Sequence, residues 1–232
     1  MTILYRLEPV LRNIHYYLFY RGHKYHCPIC DRQLSQFIPL PSGDLKCPSC
    51  GSLGRDRRLF LHLKSHLISS SVILDFSPSR CLFRFLSGYP NISYLATDFD
   101  GSFVAQHKFD ITHIALDDQS IDLIICYHIL EHIDDDITAM KELYRILKTN
   151  GICLIQTPFK DGAIYENPAV LTPMEKVQHF GQKDHVRIYS AEGLTARLES
   201  VGFTVKIHTF LNDIDNENGY AVNEIILEAV KI

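Results

Sequence analysis

No stretch of this sequence stays apolar for the ~18 residues that a membrane-spanning helix needs. The most apolar early segment, Ile3 to Tyr20, is broken by Arg6, Glu8, Pro9, Arg12 and His15. It also lacks the basic start, apolar centre and small-residue cleavage site of a secretory signal. A large excess of one charge is missing too. The formal net charge is −4 and the isoelectric point near 6.3, which excludes a chain whose whole surface grips nucleic acid but not a local basic patch. Glycine and proline, at 12 and 10, are too few for a collagen-like or low-complexity chain, and 13 Phe with 12 Tyr exclude disorder. What remains is globular: 46% hydrophobic and 22% charged over 232 residues, enough for one full domain and an attachment at roughly 150 residues per domain. Without an export signal the expected compartment is the cytoplasm, where the 7 cysteines are reduced thiols or metal ligands.

Four of them fall in two matching frames, Cys27-Pro-Ile-Cys30 and Cys47-Pro-Ser-Cys50, separated by 16 residues. That is the spacing of a structural zinc site. Two thiolates three positions apart converge on one ion from a tight turn, and Gly51 permits the close backbone approach such a turn needs. Between the frames, Leu34 to Pro41, Ser42-Gly43-Asp44 and a return strand predict a zinc ribbon. Four thiolates close the coordination shell, so the expected Zn²⁺ is structural. Cys81, Cys126 and Cys153 sit singly in apolar runs and read as core.

Helical periodicity flanks the ribbon. Leu4, Leu7, Leu11, Ile14 and Leu18 recur before it, and Leu59, Leu63 and Leu67 after it. Arg55, Arg57, Arg58 and Lys64 fall mostly on the other face of the second helix. Either they are solvated or they meet phosphate.

From Ser71 the pattern alternates short apolar runs with helical segments: Val72 to Phe76, Arg80 to Leu86, Ile92 to Thr97, Ile121 to Cys126, a helix capped by Asp136, Ile152 to Gln156, a helix capped by Ser190 and ended by Gly202, Phe203 to Phe210, and Asn223 to Val230. This order predicts an α/β fold, a Rossmann-like doubly wound and mostly parallel seven-stranded sheet. The expected division is 1–70 for the helix, ribbon and basic helix, and 71–232 for the α/β domain, with an insertion at 159–190. Ligands bind such sheets at the carboxyl ends of the strands, where Asp75, Asp98 and Asp110 stand. An acid after the second strand is placed to accept from two ribose hydroxyls.

The run from Asp110-Ile-Thr through Asp117-Asp-Gln-Ser-Ile-Asp-Leu-Ile-Ile-Cys-Tyr-His-Ile-Leu-Glu-His-Ile to Glu142-Leu-Tyr-Arg-Ile-Leu-Lys-Thr-Asn-Gly resembles class I S-adenosylmethionine-dependent methyltransferases of the small-molecule type. The resemblance covers about Val72 to Ile232. It implies S-adenosylmethionine as methyl donor, with Asp98 and Phe99 at the ribose, Asp110 and Ile111 at the adenine, and Tyr127 and His128 near the methionine end and the sulfonium. The family's first loop is usually glycine-rich. Here it reads Asp75-Phe76-Ser77-Pro78-Ser79-Arg80, which implies a variant cradle for the donor.

Methyl transfer needs alignment, plus a base where the acceptor carries a proton. The insertion supplies His179, Asp184, His185, Arg187 and Tyr189. His185, beside Asp184, is the expected base, with His128 across the cleft and Arg187 and Tyr189 binding the acceptor. His128-Ile-Leu-Glu131-His132 also spells an inverted zinc-peptidase motif, but its flanks are those of the methyltransferase-like loop. A metal at His128, Glu131 and His132 stays open beside the metal-free reading. The expected acceptor is a small or carbohydrate-like molecule offering oxygen or nitrogen. The alternatives are an RNA methyltransferase whose ribbon and Arg55, Arg57 and Arg58 dock the nucleic acid, and a non-catalytic module that kept the fold.

Overall fold

The computed structural model describes residues 3–69, 71–211 and 216–232, the side chains of 3–6 excepted. The chain divides into two compact units, one formed by 1–69, 79–90 and 210–224, the other by 70–78, 91–209 and 225–232. A single cut at residue 70 does not describe them, because two later segments belong with the first.

The first unit holds α1 (Ile3–Phe19), β1 (Arg21–Cys27), β2 (Arg32–Leu34), β3 (Ile38–Pro39), β4 (Leu45–Lys46), α2 (Gly54–Lys64) and α3 (Arg80–Ser87). β1 pairs with β2 and β3 with β4, both antiparallel. The helix read from the leucine periodicity is α1, and its leucine stripe faces outward: Leu7, Leu11, Ile14 and Leu18 are 49 to 68% exposed, and the Leu4 side chain lies outside the described residues. The packed stripe is Glu8, Arg12 and Tyr16, one turn apart. Glu8 accepts from Arg12 at 2.9 Å and from Arg80 and Arg84 at 3.1 Å, and Tyr16 donates to the Gln33 carbonyl at 3.0 Å. Partial burial pushes the Glu8 carboxyl up, but the Arg12 and Arg84 guanidiniums prevail and hold it at about 2.

α2 overturns a second expectation. Arg57 and Arg58 are buried, Arg57 completely, so neither belongs to an outward basic face. Arg57 donates from Nε to the Asn218 carbonyl at 2.7 Å, from Nη1 to the Ser52 carbonyl at 2.7 Å, and from Nη2 to the carbonyls of Leu45, at 2.8 Å, and Gly219. Its plane lies over Phe37, 4.2 Å from the ring centre. Gly219 has φ +59°, and a Cβ there would fall 2.6 Å from the Phe37 ring, so glycine alone lets the carbonyl approach.

The second unit holds β5 (Val72–Phe76), β6 (Ser93–Thr97), β7 (Ile121–Tyr127), a 3₁₀ turn (Leu130–His132), α4 (Asp136–Ile146), β8 (Leu147–Gln156), β9 (Tyr165–Glu166), α5 (Pro173–Phe180), β10 (Arg187–Ile188) and α6 (Ala191–Ser200). It also contains nearly all of β11 (Phe203–Phe210) and β12 (Glu224–Lys231). The central sheet has the order β11-β12-β8-β7-β5-β6. The pairs β5–β6, β5–β7 and β7–β8 are parallel, while β12 runs antiparallel to β8. Leu74, Phe76, Ile124, Cys126, Cys153 and Ile155 pack in one core with Met140 and Leu143 of α4 and Leu194 and Leu198 of α6.

Among the described residues the sheet has six strands, not the seven expected. Beyond β6, at the edge of the sheet, His107 makes a single parallel bridge to Thr97. Backbone and side-chain bonds share that edge: the Gln106 and His107 N–H groups reach the Ala96 carbonyl at 3.1 and 3.0 Å and the Asp98 N–H the His107 carbonyl at 3.2 Å, while Gln106 Oε1 accepts from the Ala96 N–H at 3.2 Å and Thr97 Oγ1 from the Phe109 N–H at 2.8 Å. Such local bonds compete with strand pairing. The cap of α4 also moves by one residue. Asp135 accepts from the Thr138 N–H at 3.0 Å, whereas Asp136 is buried and receives Tyr189 and Arg197. Ser190 caps α6 as expected, accepting from the Gly193 N–H at 3.1 Å.

Candidate functional site

Strand order reverses at β5, which has β6 on one side and β7 on the other. In such sheets the crevice at the carboxyl ends of the strands flanking that point receives the ligand. Asp75, on β5, is buried and accepts from the Tyr94 hydroxyl at 2.9 Å. Phe76 is core. Ser77 stands where a glycine-rich loop would bend, at φ +49°, a conformation costing most residues about 1–2 kcal/mol. Its hydrogen bonds offset that cost: the N–H reaches the Thr97 carbonyl at 2.7 Å and the hydroxyl donates to Asp98 Oδ1 at 2.7 Å. Pro78, buried, fixes the next step of the turn.

Asp98 follows β6 and is 7% exposed. Its other oxygen accepts from the Phe103 N–H at 3.0 Å, which leaves each oxygen further lone-pair capacity. Phe99 beside it is 54% exposed. Asp110 is exposed and accepts twice from Thr112, from its N–H at 2.8 Å and its hydroxyl at 2.7 Å, bonds that hold its carboxyl below the usual range. Ile111 is buried.

Tyr127 ends β7, and the loop after it begins at His128. His128 has φ +55°, and its N–H reaches the Gln156 carbonyl at 2.8 Å. Its Nδ1 lies 3.2 Å from Glu131 Oε1. Four buried side-chain atoms on the segments that follow β7 and close β8 have no partner: His128 Nε2, Glu131 Oε2, Gln156 Oε1 and Thr157 Oγ1. Buried polar atoms are satisfied in the great majority of cases, so four such atoms on two neighbouring segments stand out. Gln156 and Thr157 escaped the sequence reading. Their signal is the abrupt change to polar residues after Ile152 to Ile155.

His185 is 4% exposed, and burial, with His132 adding to it, holds its imidazole below the ordinary histidine value. Its ring meets that of His132 edge-on, 4.7 Å between centres. Arg187 and Tyr189, expected at the acceptor, have their polar atoms engaged inside the protein. Arg187 donates to Glu166 at 2.9 Å, to the carbonyls of Leu130 at 3.2 Å and Asp134 at 2.8 Å, and to that of Ile133. Tyr189 is fully buried and donates to Asp136. Both hold the loop after β7 in place. A small cavity of about 70 Å³ opens beside them, lined among others by Glu131, Thr157, Phe159, Lys160 and His185. A larger hollow lies against Glu142 and Arg145 of α4 and contains none of the strand-end residues.

In the first unit the four paired cysteines converge, with all sulfurs within 4.8 Å of one another. Cys27 to Cys50 is 3.7 Å and Cys30 to Cys47 is 3.8 Å. The residue after each second cysteine is left-handed, Asp31 at φ +55° and Gly51 at φ +82°. Contacts with Cys30, Cys47 and Cys50 favour the thiolate at Cys27, and the contact with Cys27 pushes the Cys50 thiol up. Cys81, Cys126 and Cys153 are buried core residues, as expected.

Residues 62–207 match the family described as methyltransferase domain. The chain belongs to that family. Of known relatives, a probable S-adenosylmethionine-dependent methyltransferase of Mycolicibacterium smegmatis is 29% identical over 122 residues, 48% of this chain and 44% of the relative. One from Mycobacterium tuberculosis is 25% identical over 119 residues, 47% and 40% of the two chains. The match thus spans less than half of either relative. Among solved structures, the YcgJ protein of Bacillus subtilis aligns with a TM-score of 0.53 at 15% identity, over 77% of this chain and all of its own. A SAM-dependent methyltransferase of Archaeoglobus fulgidus aligns with 0.53 at 19% identity, over 78% and 95%. These two support the methyltransferase fold.

Proposed function

We propose that this methyltransferase-domain protein is an enzyme that moves the methyl group of S-adenosylmethionine to an oxygen or nitrogen of a small or carbohydrate-like acceptor. The observation that carries the reading is Asp98, a nearly buried acid after the second parallel strand, with spare lone pairs in a chain of this family. Asp98 receives the ribose hydroxyls, Phe99 offers an exposed ring face beside them, and Asp110 with Ile111 borders the adenine. The turn from Asp75 to Pro78 takes the place of the glycine-rich cradle. Tyr127 and His128 lie toward the sulfonium.

In the reaction the sulfonium–methyl bond breaks as the acceptor–methyl bond forms, the donor leaves as a neutral thioether, and the acceptor proton must go to a base. His128 suits that role better than His185. Nδ1 against Glu131 orients the ring, and Nε2 is left without a partner, the arrangement of a positioned imidazole base. His185 remains beside it as a second polar group at the acceptor cavity.

The cysteine cluster supports a structural Zn²⁺. At Zn–S distances of about 2.3 Å, the sulfurs of a tetrahedron stand about 3.8 Å apart, close to the distances of the two contacting pairs. Cys27, Cys30, Cys47 and Cys50 would hold the ion, which supplies folding energy and no open position for chemistry.

Calorimetry with S-adenosylhomocysteine tests the donor site. The parent chain should bind, and Asp98→Ala should lose about 1.5 to 3 kcal/mol for each charge-assisted hydrogen bond removed. Equal affinity of the two proteins would put the ribose elsewhere, and no binding by either would favour a non-catalytic module.

A further inference from the structure

We propose a second metal site, distinct from the cysteine cluster, in which Glu131, His132 and His185 hold a divalent first-row cation. One ligand atom from each of the three lies within 4.8 Å of the others. Glu131 and His185 are buried, at 1% and 4% exposure, and His132 closes the group from the partly exposed side.

The carboxylate is the decisive member. One oxygen of Glu131 faces His128 Nδ1 at 3.2 Å, while Oε2 is buried with no partner. An ionised carboxylate oxygen left bare in the interior is costly. A cation beside it removes that cost, and two imidazoles with one carboxylate form a donor set for such ions.

The surroundings hold the three side chains where they converge. The backbone N–H of Val186 donates to the Glu131 carbonyl at 2.9 Å, tying the residue after His185 to the turn that carries the other two ligands. Arg187 clamps the same turn through the carbonyls of Leu130, Ile133 and Asp134. Asp184 lies 3.6 Å from His132 Nδ1, a carboxylate able to orient that ring in the manner of outer-shell partners of metal-bound histidines.

Three protein ligands leave positions open on the ion. The cavity beside Glu131 and His185 includes Thr157, whose hydroxyl is buried and unpartnered. Water or an oxygen of a bound molecule fits there. The site stands whether or not the chain transfers methyl groups.

The test uses the full chain with its cysteine cluster filled by zinc. Mn²⁺ is the probe, because this harder ion prefers oxygen and nitrogen over thiolate. Titration followed by electron paramagnetic resonance should show one bound Mn²⁺ per chain. His132→Ala, at the partly exposed ligand, should weaken binding at least tenfold while its far-ultraviolet dichroism and melting temperature stay those of the parent. Glu131→Gln should do the same if it folds. Co²⁺ gives an independent readout: ligand-field bands without the intense sulfur-to-cobalt absorption of a cysteine site, lost in His132→Ala. A parent that binds neither ion, or a His132→Ala protein that binds both as the parent does, would overturn the assignment.

Discussion

Single residues decide more of this molecule than their local sequence announces. Arg57 and Arg58 sit in a basic run, and nothing within a helical turn of them says that they point inward. Two of the four carbonyls that claim Arg57 belong to Asn218 and Gly219, more than 160 residues later, beyond the reach of any periodicity argument. The place of Asp98, by contrast, follows from short-range pattern alone: it stands directly after the second parallel strand, as the sequence predicts. Glu224 is a third case. It is 5% exposed, both its carboxylate oxygens are unpartnered, and burial, opposed by Arg58 and Arg55 and aided by Asp56 and Asp44, pushes its carboxyl up to about 8. The folded state therefore keeps this proton where the unfolded chain gives it up near pH 4.3. Its contribution is complete below that pH and declines as pH rises, until the folded group also ionises near 8. Thermal unfolding of zinc-replete protein from pH 6 to 9 should show stability falling with pH, and Glu224→Gln should flatten that slope and be the more stable protein at pH 9. Parallel slopes would mean that Glu224 is ionised in the fold. His128 carries the kinetic counterpart. With an acceptor found by use of methyl-labelled donor, His128→Ala should lower turnover by about 10² to 10⁴ and leave the affinity for S-adenosylhomocysteine close to that of the parent.

At the level of elements, what could be read is what has a strict spacing. Both cysteine turns, the strand–helix alternation and the Ser190 cap come from short-range chemistry and stand in the structure. The face of α1 could not be read: periodicity finds a stripe, but Glu8 facing Arg80 and Arg84 decides which stripe packs. Nor could the strand count, because beyond β6 the pairing stops at a single bridge at His107, with the Gln106 and Thr97 side chains taking part in the bonding beside it, and a periodic pattern carries no trace of that. The two cysteine turns and Arg57 meet in one prediction. Ser52, whose carbonyl and hydroxyl both accept from Arg57 Nη1, also has its hydroxyl within 3.4 Å of the Cys27 sulfur. With the proposed Zn²⁺ bound there, its removal should therefore loosen α2 as well as the turns. Chelation, or Cys47→Ser, should lower the melting temperature and raise hydrogen exchange across Gly54–Lys64. Protection of α2 unchanged by metal removal would show the two to be independent. Arg57→Lys should also destabilise, because one ammonium with three donors cannot reach acceptors arranged for a planar five-donor fork.

For the whole molecule, the instructive feature is that the two compact units are not consecutive. The chain passes from one to the other at residues 69–70, 78–79, 90–91, 209–210 and 224–225. Cys81, Leu82 and Leu86, all buried, lie in a segment of the first unit that interrupts the second. A fragment starting at residue 70 should thus expose them, bind a hydrophobic dye and melt with less cooperativity than the full chain. A fragment that melts as sharply as the parent would show the interrupting segments to be dispensable.

This interleaving also sets a timetable. As the chain is made, both cysteine frames, Arg57 and its Leu45 and Ser52 acceptors exist by residue 57, yet the other two carbonyls that Arg57 will hold lie 161 and 162 residues further on. At about 5–20 residues per second, the guanidinium waits on the order of 10 to 30 s for them. Through that interval the cysteine turns can close, but the side of the Arg57 slot formed by Asn218 and Gly219 stays open. A nascent chain therefore carries a half-satisfied guanidinium until residues 218 and 219 are synthesised.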